Sequence, residues 1–403
     1  MRVFCSVCLI GLVMSFMLAT VSDGQEPKAK APPAKTQPPA TAPPAATTPP
    51  AATAPPADPN RPAAAEFQKA FADWKVILND LRKLRIQYQS ADAANQKTLE
   101  EQWTALVTKG NAALGALQAA GLKAYAEAPN EDPQLTRFLT KLATDAADRD
   151  EYETVMQIAD LLIKNNCDDK QIYGPAALAT YALHDFDKAA EYLKLATEAG
   201  NPPKEFSQWN VDLAQYKKWW EEEQKIREAE AAKNDLPRVK LITTKGEIVI
   251  ELFENEAPDT VGNFISLVEK PEKPFYNDTV FHRVLKNFMA QGGDPEGTGS
   301  GGPGYHIKCE CYEPNARRHF RGSLSMAHAG RDTGGSQFFL TFLPTAHLNG
   351  KHTCFGRVIE GMDVLAKLQR INPEDEKKPQ PDKIIKAEVV RKRDHAYAPR
   401  KVE

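Results

Sequence analysis

Cysteine is scarce. Six in 403 residues are too few for the disulfide framework with which small secreted domains replace a core. An excess of one charge is missing too: 51 Lys+Arg stand against 54 Asp+Glu, a formal net charge of −3. Such a balance gives no broad basic field for nucleic acid or an anionic membrane, and the basic end at Arg391, Lys392, Arg393, Arg400 and Lys401 reads as a solvated terminus. Assembled catalytic machinery is absent as well. Ser336 in "GGSQF" lacks the G-x-S-x-G elbow that raises a serine nucleophile. "GTGSGG" at Gly297 to Gly302 matches a dinucleotide pattern, but Pro303-Gly304-Tyr305 follows where a helix N-terminus must meet phosphate; it reads as a loop. His306, Cys309, Cys311 and His319 lack the ligand spacing of structural zinc sites. No metal and no cofactor is expected, and on a strand Cys309 and Cys311 would face the same side.

What is present divides the chain into parts, since 403 residues exceed what one core usually serves. Val3 to Val21 carry no charge and lead to Ser22-Asp23-Gly24. Residues 1–24 therefore read as a signal peptide, with an uncleaved anchor as the alternative because this run nearly spans a bilayer of about 30 Å. Either reading exports the rest to a periplasmic or secreted setting, with membrane contact only in the second. Residues 25–64 hold 13 prolines between Gln25 and Pro62, the composition of a disordered, polyproline-type tether.

Residues 65–235 carry helical spacing. Phe67, Phe71, Trp74, Leu78 and Leu81 step by four, three, four and three, one face of a helix, and a charged helix is expected to run to about Asn234. "DEYETVMQIADLL" and "HDFDKAAEYLKLA" place Tyr152 and Phe186, Val155 and Ala189, Ala159 and Leu193, and Leu162 and Ala196 34 residues apart. That period resembles the tetratricopeptide repeat, with an unrelated helical bundle as the alternative. A protein partner at this region is expected by fold analogy.

Residues 236–395, before a tail at 396–403, are mostly strand. "VKLITTKGEIVIELF" alternates around Lys245-Gly246 as a hairpin does. Pro258 opens a short helix, a second starts at Met362, and "KIIKAEVV" is a last strand. The pattern reads as a β-barrel or sandwich.

Three blocks in order, "FHRVLKNFMAQGGD" from Phe281, "GSLSMAHAGRDTGGSQFFLTF" from Gly322 and "HLNGKHTCFGRVIEG" from His347, resemble the cyclophilin family of peptidyl-prolyl isomerases over about Pro237 to His395. The resemblance implies a closed eight-stranded barrel with two helices, acting on X-Pro bonds of polypeptide clients, with folding of exported proteins as its use. The chemistry agrees. Resonance sets a rotation barrier of about 18–20 kcal/mol, while both X-Pro isomers lie within about 0.5–1 kcal/mol and exchange slowly. A catalyst has only to oppose that resonance, and a guanidinium donating toward the prolyl nitrogen does so without proton transfer. Arg283 suits the role because it stays charged and presents a planar set of donors. Phe288, Met289, Phe339 and Leu348 would hold the proline ring with His352 at the rim, and Gln291 and Gln337 would bind the flanking backbone. By family analogy Ala327, His328 and His282 line the groove, His282 joining Arg283 and Gln291 as catalytic, while His347 is a substrate-side residue. His347 stands where many members carry tryptophan, which implies weak cyclosporin binding, and His328 where asparagine is usual. The reading from a different class is a non-catalytic proline-peptide scaffold that uses the helical region for partners; Arg283 and Gln291 disfavour it, since a pure binder has less use for a transition-state cation.

Overall fold

A computed structural model describes residues 61–402. The signal or anchor at 1–24 and nearly all of the 25–64 tether lie outside the described residues. The chain divides into two compact units, 128–402 and the described residues 61–127.

The smaller unit is a helical hairpin of α1 (Pro62–Ser90) and α2 (Ala93–Glu127). Proline stands in the first turn of α1, where its missing N–H costs nothing. Phe67, Trp74, Leu78 and Leu81 are buried and Phe71 half-buried, the stripe expected from spacing.

The larger unit begins with α3 (Pro133–Ala147), α4 (Tyr152–Lys164), α5 (Tyr173–Ala182), α6 (Phe186–Glu198), α7 (Lys204–Gln208) and α8 (Leu213–Lys233). Their starts follow from caps: the Asp132 carboxylate accepts from the N–H of Gln134 at 2.8 Å, Asp185 from that of Lys188 at 3.2 Å and Asp212 from that of Gln215 at 3.1 Å. Helix α8 stops at Asn234, whose φ of 46° is left-handed. Helices α4 and α6 are both 13 residues long and begin 34 residues apart. Tyr152, Val155, Ala159 and Leu162 point inward on one, and Phe186, Ala189 and Ala196 on the other.

The sheet follows: β1 (Arg238–Thr243), β2 (Gly246–Leu252), β3 (Arg283–Leu285), β4 (Met289–Gly292), β6 (Ser323–Met326), β7 (Phe338–Thr341), β8 (Cys354–Glu360) and β9 (Ile384–Arg391), with β5 (His306–Ile307) and β10 (Lys401–Val402) paired apart. The eight strands run antiparallel in the order β3-β4-β7-β6-β8-β2-β1-β9. They make a curled half-barrel, not the closed barrel expected. The ladder leaves β3 and β9 unpaired with each other, and an isolated bridge, Val280 to Lys383, spans the seam. Helix α9 (Pro258–Val268) packs Val261, Phe264 and Ile265 into the core with Leu241, Ile250, Leu324 and Phe355; α10 (Met362–Ala366) adds Leu365.

Two expectations change here. Cys309 and Cys311 lie in irregular chain beyond β5, not on a strand, because Asp332 captures the loop: its carboxylate accepts from the Cys309 N–H at 2.8 Å. The basic end is not a free solvated terminus. Arg391 pairs with Glu251 at 3.3 Å, Arg393 with Asp235 at 2.8 Å, and Lys401-Val402 pair with β5.

The α3–α8 helices and the sheet meet across buried charge. Arg317, 5% exposed, donates to both carboxylate oxygens of Glu223, at 2.6 and 3.0 Å, and also to Glu230. Burial opposes this charge, yet the two carboxylates prevail and raise its pKa. Arg357 pairs with the same Glu230 at 3.1 Å. Elsewhere the Tyr181 hydroxyl donates to the Pro344 carbonyl at 2.6 Å, and His184 stacks on Trp220 at 3.9 Å with Phe320 edge-on.

Candidate functional site

Strand register builds the site. Short β3 alternates, with Val284 buried in the core and Arg283 and Leu285 half-buried on the opposite face. The antiparallel partner of Arg283 is Gln291, and the partner of Gln291 on its other side is Phe339. Cation, amide and ring thus stand in a row across three strands, since directly opposed residues share one face.

A groove of about 920 Å³ opens there. Phe288, Met289, Phe339 and Leu348 form its apolar floor and wall. The Arg283 guanidinium sits 5.7 Å from the Phe288 ring centre, and its Nη1 lies 3.5 Å from Gln291 Oε1 and 4.0 Å from Met289 Sδ. At such lengths Arg283 has no strong protein acceptor and remains free to donate into the groove. Burial lowers its pKa, opposed by Glu374, and arginine stays cationic regardless.

Gln291 Nε2 donates to Gln337 Oε1 at 3.0 Å, and Gln337 Nε2 donates to the carbonyls of Gly299 and Gly301 at 2.9 Å each. That chain settles which end of each amide faces which neighbour. Ala327 lines the groove, its N–H donating to the Gln337 carbonyl at 2.9 Å. His328 and His352 stand at the rim with rings stacked at 4.2 Å. His328 Nε2 lies 2.7 Å from the Lys351 carbonyl and His352 Nδ1 2.9 Å from that of Met326. Burial, then His328 and Lys351, hold His352 below the usual histidine range despite the Met326 carbonyl.

Two expected residues stand apart. His282 does not line the groove; a side chain added at Gly299 would meet its ring at 3.7 Å, and burial lowers its pKa against the pull of Asp294. His347 is also outside the lining. Its ring leans on Phe288 at 5.8 Å and on Trp209 at 4.8 Å.

The opposite wall went unread in the sequence: Gly299 to Tyr305 of the glycine-rich loop. Its folding is internal. The Asp294 carboxylate accepts from the N–H groups of Glu296, Thr298 and Gly299 at 2.8, 3.0 and 2.5 Å, while Gly297 and Gly299 take φ of 68° and 92°. The aspartate preceding a glycine run was the available signal. Beneath the floor His319 is buried, its Nε2 2.8 Å from Ser325 Oγ and its Nδ1 2.9 Å from Asn349 Oδ1. Burial pushes its pKa down to about 4. All four described cysteines are free, and burial pushes the Cys354 thiol up to about 12.

The arrangement presents a cation and a linked pair of amides over an apolar cleft; the hydroxyl–imidazole pair of Ser325 and His319 is buried beneath the floor and is not part of the lining. A family model described as cyclophilin type peptidyl-prolyl cis-trans isomerase/CLD matches residues 238–389. A peptidyl-prolyl cis-trans isomerase of Helicobacter pylori is 53% identical over 148 residues, 36% of this chain and 86% of that protein. Peptidyl-prolyl cis-trans isomerase B of Bacillus subtilis is 52% identical over 123 residues, 30% of this chain and 83% of that protein. Peptidyl-prolyl cis-trans isomerase-like 1 of Bos taurus is 45% identical over 154 residues, 38% and 91%.

Proposed function

We propose a residue-level account of catalysis from one premise: the chain belongs to the cyclophilin-type peptidyl-prolyl cis-trans isomerases. Arg283 is the group that acts on the bond. Its guanidinium borders the apolar floor without a short acceptor of its own, so it is free to donate to the prolyl nitrogen as that nitrogen pyramidalises. Such a bond strengthens as conjugation is lost, so it favours the twisted state over either planar one. Phe288, Met289, Phe339 and Leu348 hold the ring by apolar burial, and Gln291, held by Gln337, binds the backbone before the proline while the far side rotates. His282 then acts through the loop, as a positioning residue; His347 supports Phe288. The substrate is a proline-containing polypeptide.

The single observation that carries this reading is the cross-strand row Arg283, Gln291, Phe339. Two-dimensional exchange NMR on an Ala-Pro peptide with the full chain tests it. Arg283→Ala should slow catalysed exchange by about 10²–10³-fold, the usual cost of one transition-state donor, with the fold retained. Wild-type protein that bound the peptide without accelerating exchange would favour a scaffold instead.

The setting is part of the proposal. Charge-free Val3 to Val21 supports export, to be checked by fractionation and N-terminal sequencing. The 34-residue register of α4 and α6 supports a tetratricopeptide-like arrangement that binds clients or partners.

A further inference from the structure

Trp209 caps the C-terminus of α7, and through this residue the helical region reaches Phe288, which lines the groove. The indole is tilted against Phe288, ring centres 5.8 Å apart, and against His347 at 4.8 Å. Phe288 is the wall over which Arg283 stands. Trp209 is half-buried, so part of its face still meets solvent.

Its position is held from both sides. Asn287, beside Phe288 at the tip of the β3–β4 hairpin, is buried and adopts a left-handed φ of 57°. The Asp150 carboxylate accepts from its N–H at 2.7 Å, its Nδ2 donates to Glu205 Oε1 at 3.0 Å, and the Tyr152 hydroxyl, which donates to Asp150 Oδ1 at 2.8 Å, lies 3.1 Å from Asn287 Oδ1. Glu205 lies on α7, four residues before Trp209. Arg370 closes the cluster by donating to Asp150 at 2.5 Å. Apart from Arg370 Nε, which has no partner, the network is bonded throughout, and through Asn287 and Glu205 it ties α7 to the hairpin carrying Phe288.

We infer that Trp209 is a specificity-determining residue of this site: it lengthens the apolar wall beyond Phe288 and takes an apolar or aromatic residue flanking the substrate proline. Without it that residue would meet solvent; a rigid indole offers wide apolar area at small entropic cost. The inference rests on the isomerase reading above.

The test compares KM and kcat of the full chain on peptides with an Ala-Pro bond flanked by glycine or by phenylalanine, at each flanking position in turn. Trp209→Ala should raise KM for one Phe-flanked peptide about five-fold more than for its Gly-flanked counterpart, the size of one aromatic contact. Trp209→Phe should keep most of the preference, which controls for disturbed folding. An equal change on both peptides would reduce Trp209 to a support for Phe288 and overturn the inference, as would no change. A wild-type chain that failed to speed exchange in the Gly-flanked peptide would bring down the isomerase reading itself.

Discussion

At the residue scale the cation and the buried histidine make separable predictions. Arg283→Lys should recover little of the activity lost in Arg283→Ala, because an ammonium lacks the planar donor array and is more strongly hydrated; exchange NMR on the paired variants reads this. His319, against the opposite contribution of Asp150, whose pKa burial raises to about 6, contributes to acid sensitivity. The unfolded chain takes up a proton near pH 6.5, whereas burial delays uptake in the folded state to about pH 4. Between those values the unfolded state binds more protons, so stability is lost as pH falls. The loss approaches roughly 3 kcal/mol by pH 4. His184, buried against Trp220 and shifted well downward by burial, acts in the same direction. Urea midpoints at pH 7 and 4.5 should therefore differ less in His319→Gln than in wild type.

At the element scale, the β4 exit depends on a backbone that only glycine tolerates. Gly293 has φ of 80°, and a Cβ there would lie 2.4 Å from the Ser336 carbonyl. Gly293→Ala should cost about 1–3 kcal/mol from strain alone, more with the clash, and would part β4 from the Gln337 approach. Thermal unfolding and exchange activity should fall together. A variant as stable as wild type would contradict the steric argument. The glycine-rich loop shows the complementary case: Asp294 collects its N–H groups, and burial notwithstanding, those donors lower the Asp294 pKa.

At the scale of the molecule, the α3–α8 helices belong to the compact unit that holds the sheet, and a buried charge cluster joins the two. Removing one partner of a buried ion pair costs about 3–5 kcal/mol because the other is left desolvated. Arg317→Met leaves buried Glu223 with Arg227 and Glu230 with Arg357 as their remaining cations and should lower the melting temperature. Adding Glu223→Gln and Glu230→Gln should restore part of the loss, since two of the buried carboxylates then carry no charge, although Arg227 loses its partner. A single-variant melting curve like that of wild type would show the network to be dispensable. Calorimetry on the full chain makes the comparison directly.

Much of this was legible in the sequence, because periodicity, caps and turn residues are local. The helical stripe from Phe67 to Leu81, the proline start of α9, the Thr243–Gly246 hairpin and the stop at Asn234 need only neighbouring residues to explain them. That Arg283, Gln291, Phe288, Met289 and Phe339 gather at one groove was also expected from the three blocks. What only the tertiary structure decided is long-range: the open seam of the sheet, the capture of Cys309 by Asp332, the pinned basic end, the withdrawal of His282 and His347 from the groove, and the arrival of Trp209 beside Phe288. Each depends on which surfaces meet when helices and sheet pack. Local propensity is silent on that choice, because contacts across 79 residues, as between Trp209 and Phe288, are selected by burial and charge pairing in the assembled fold.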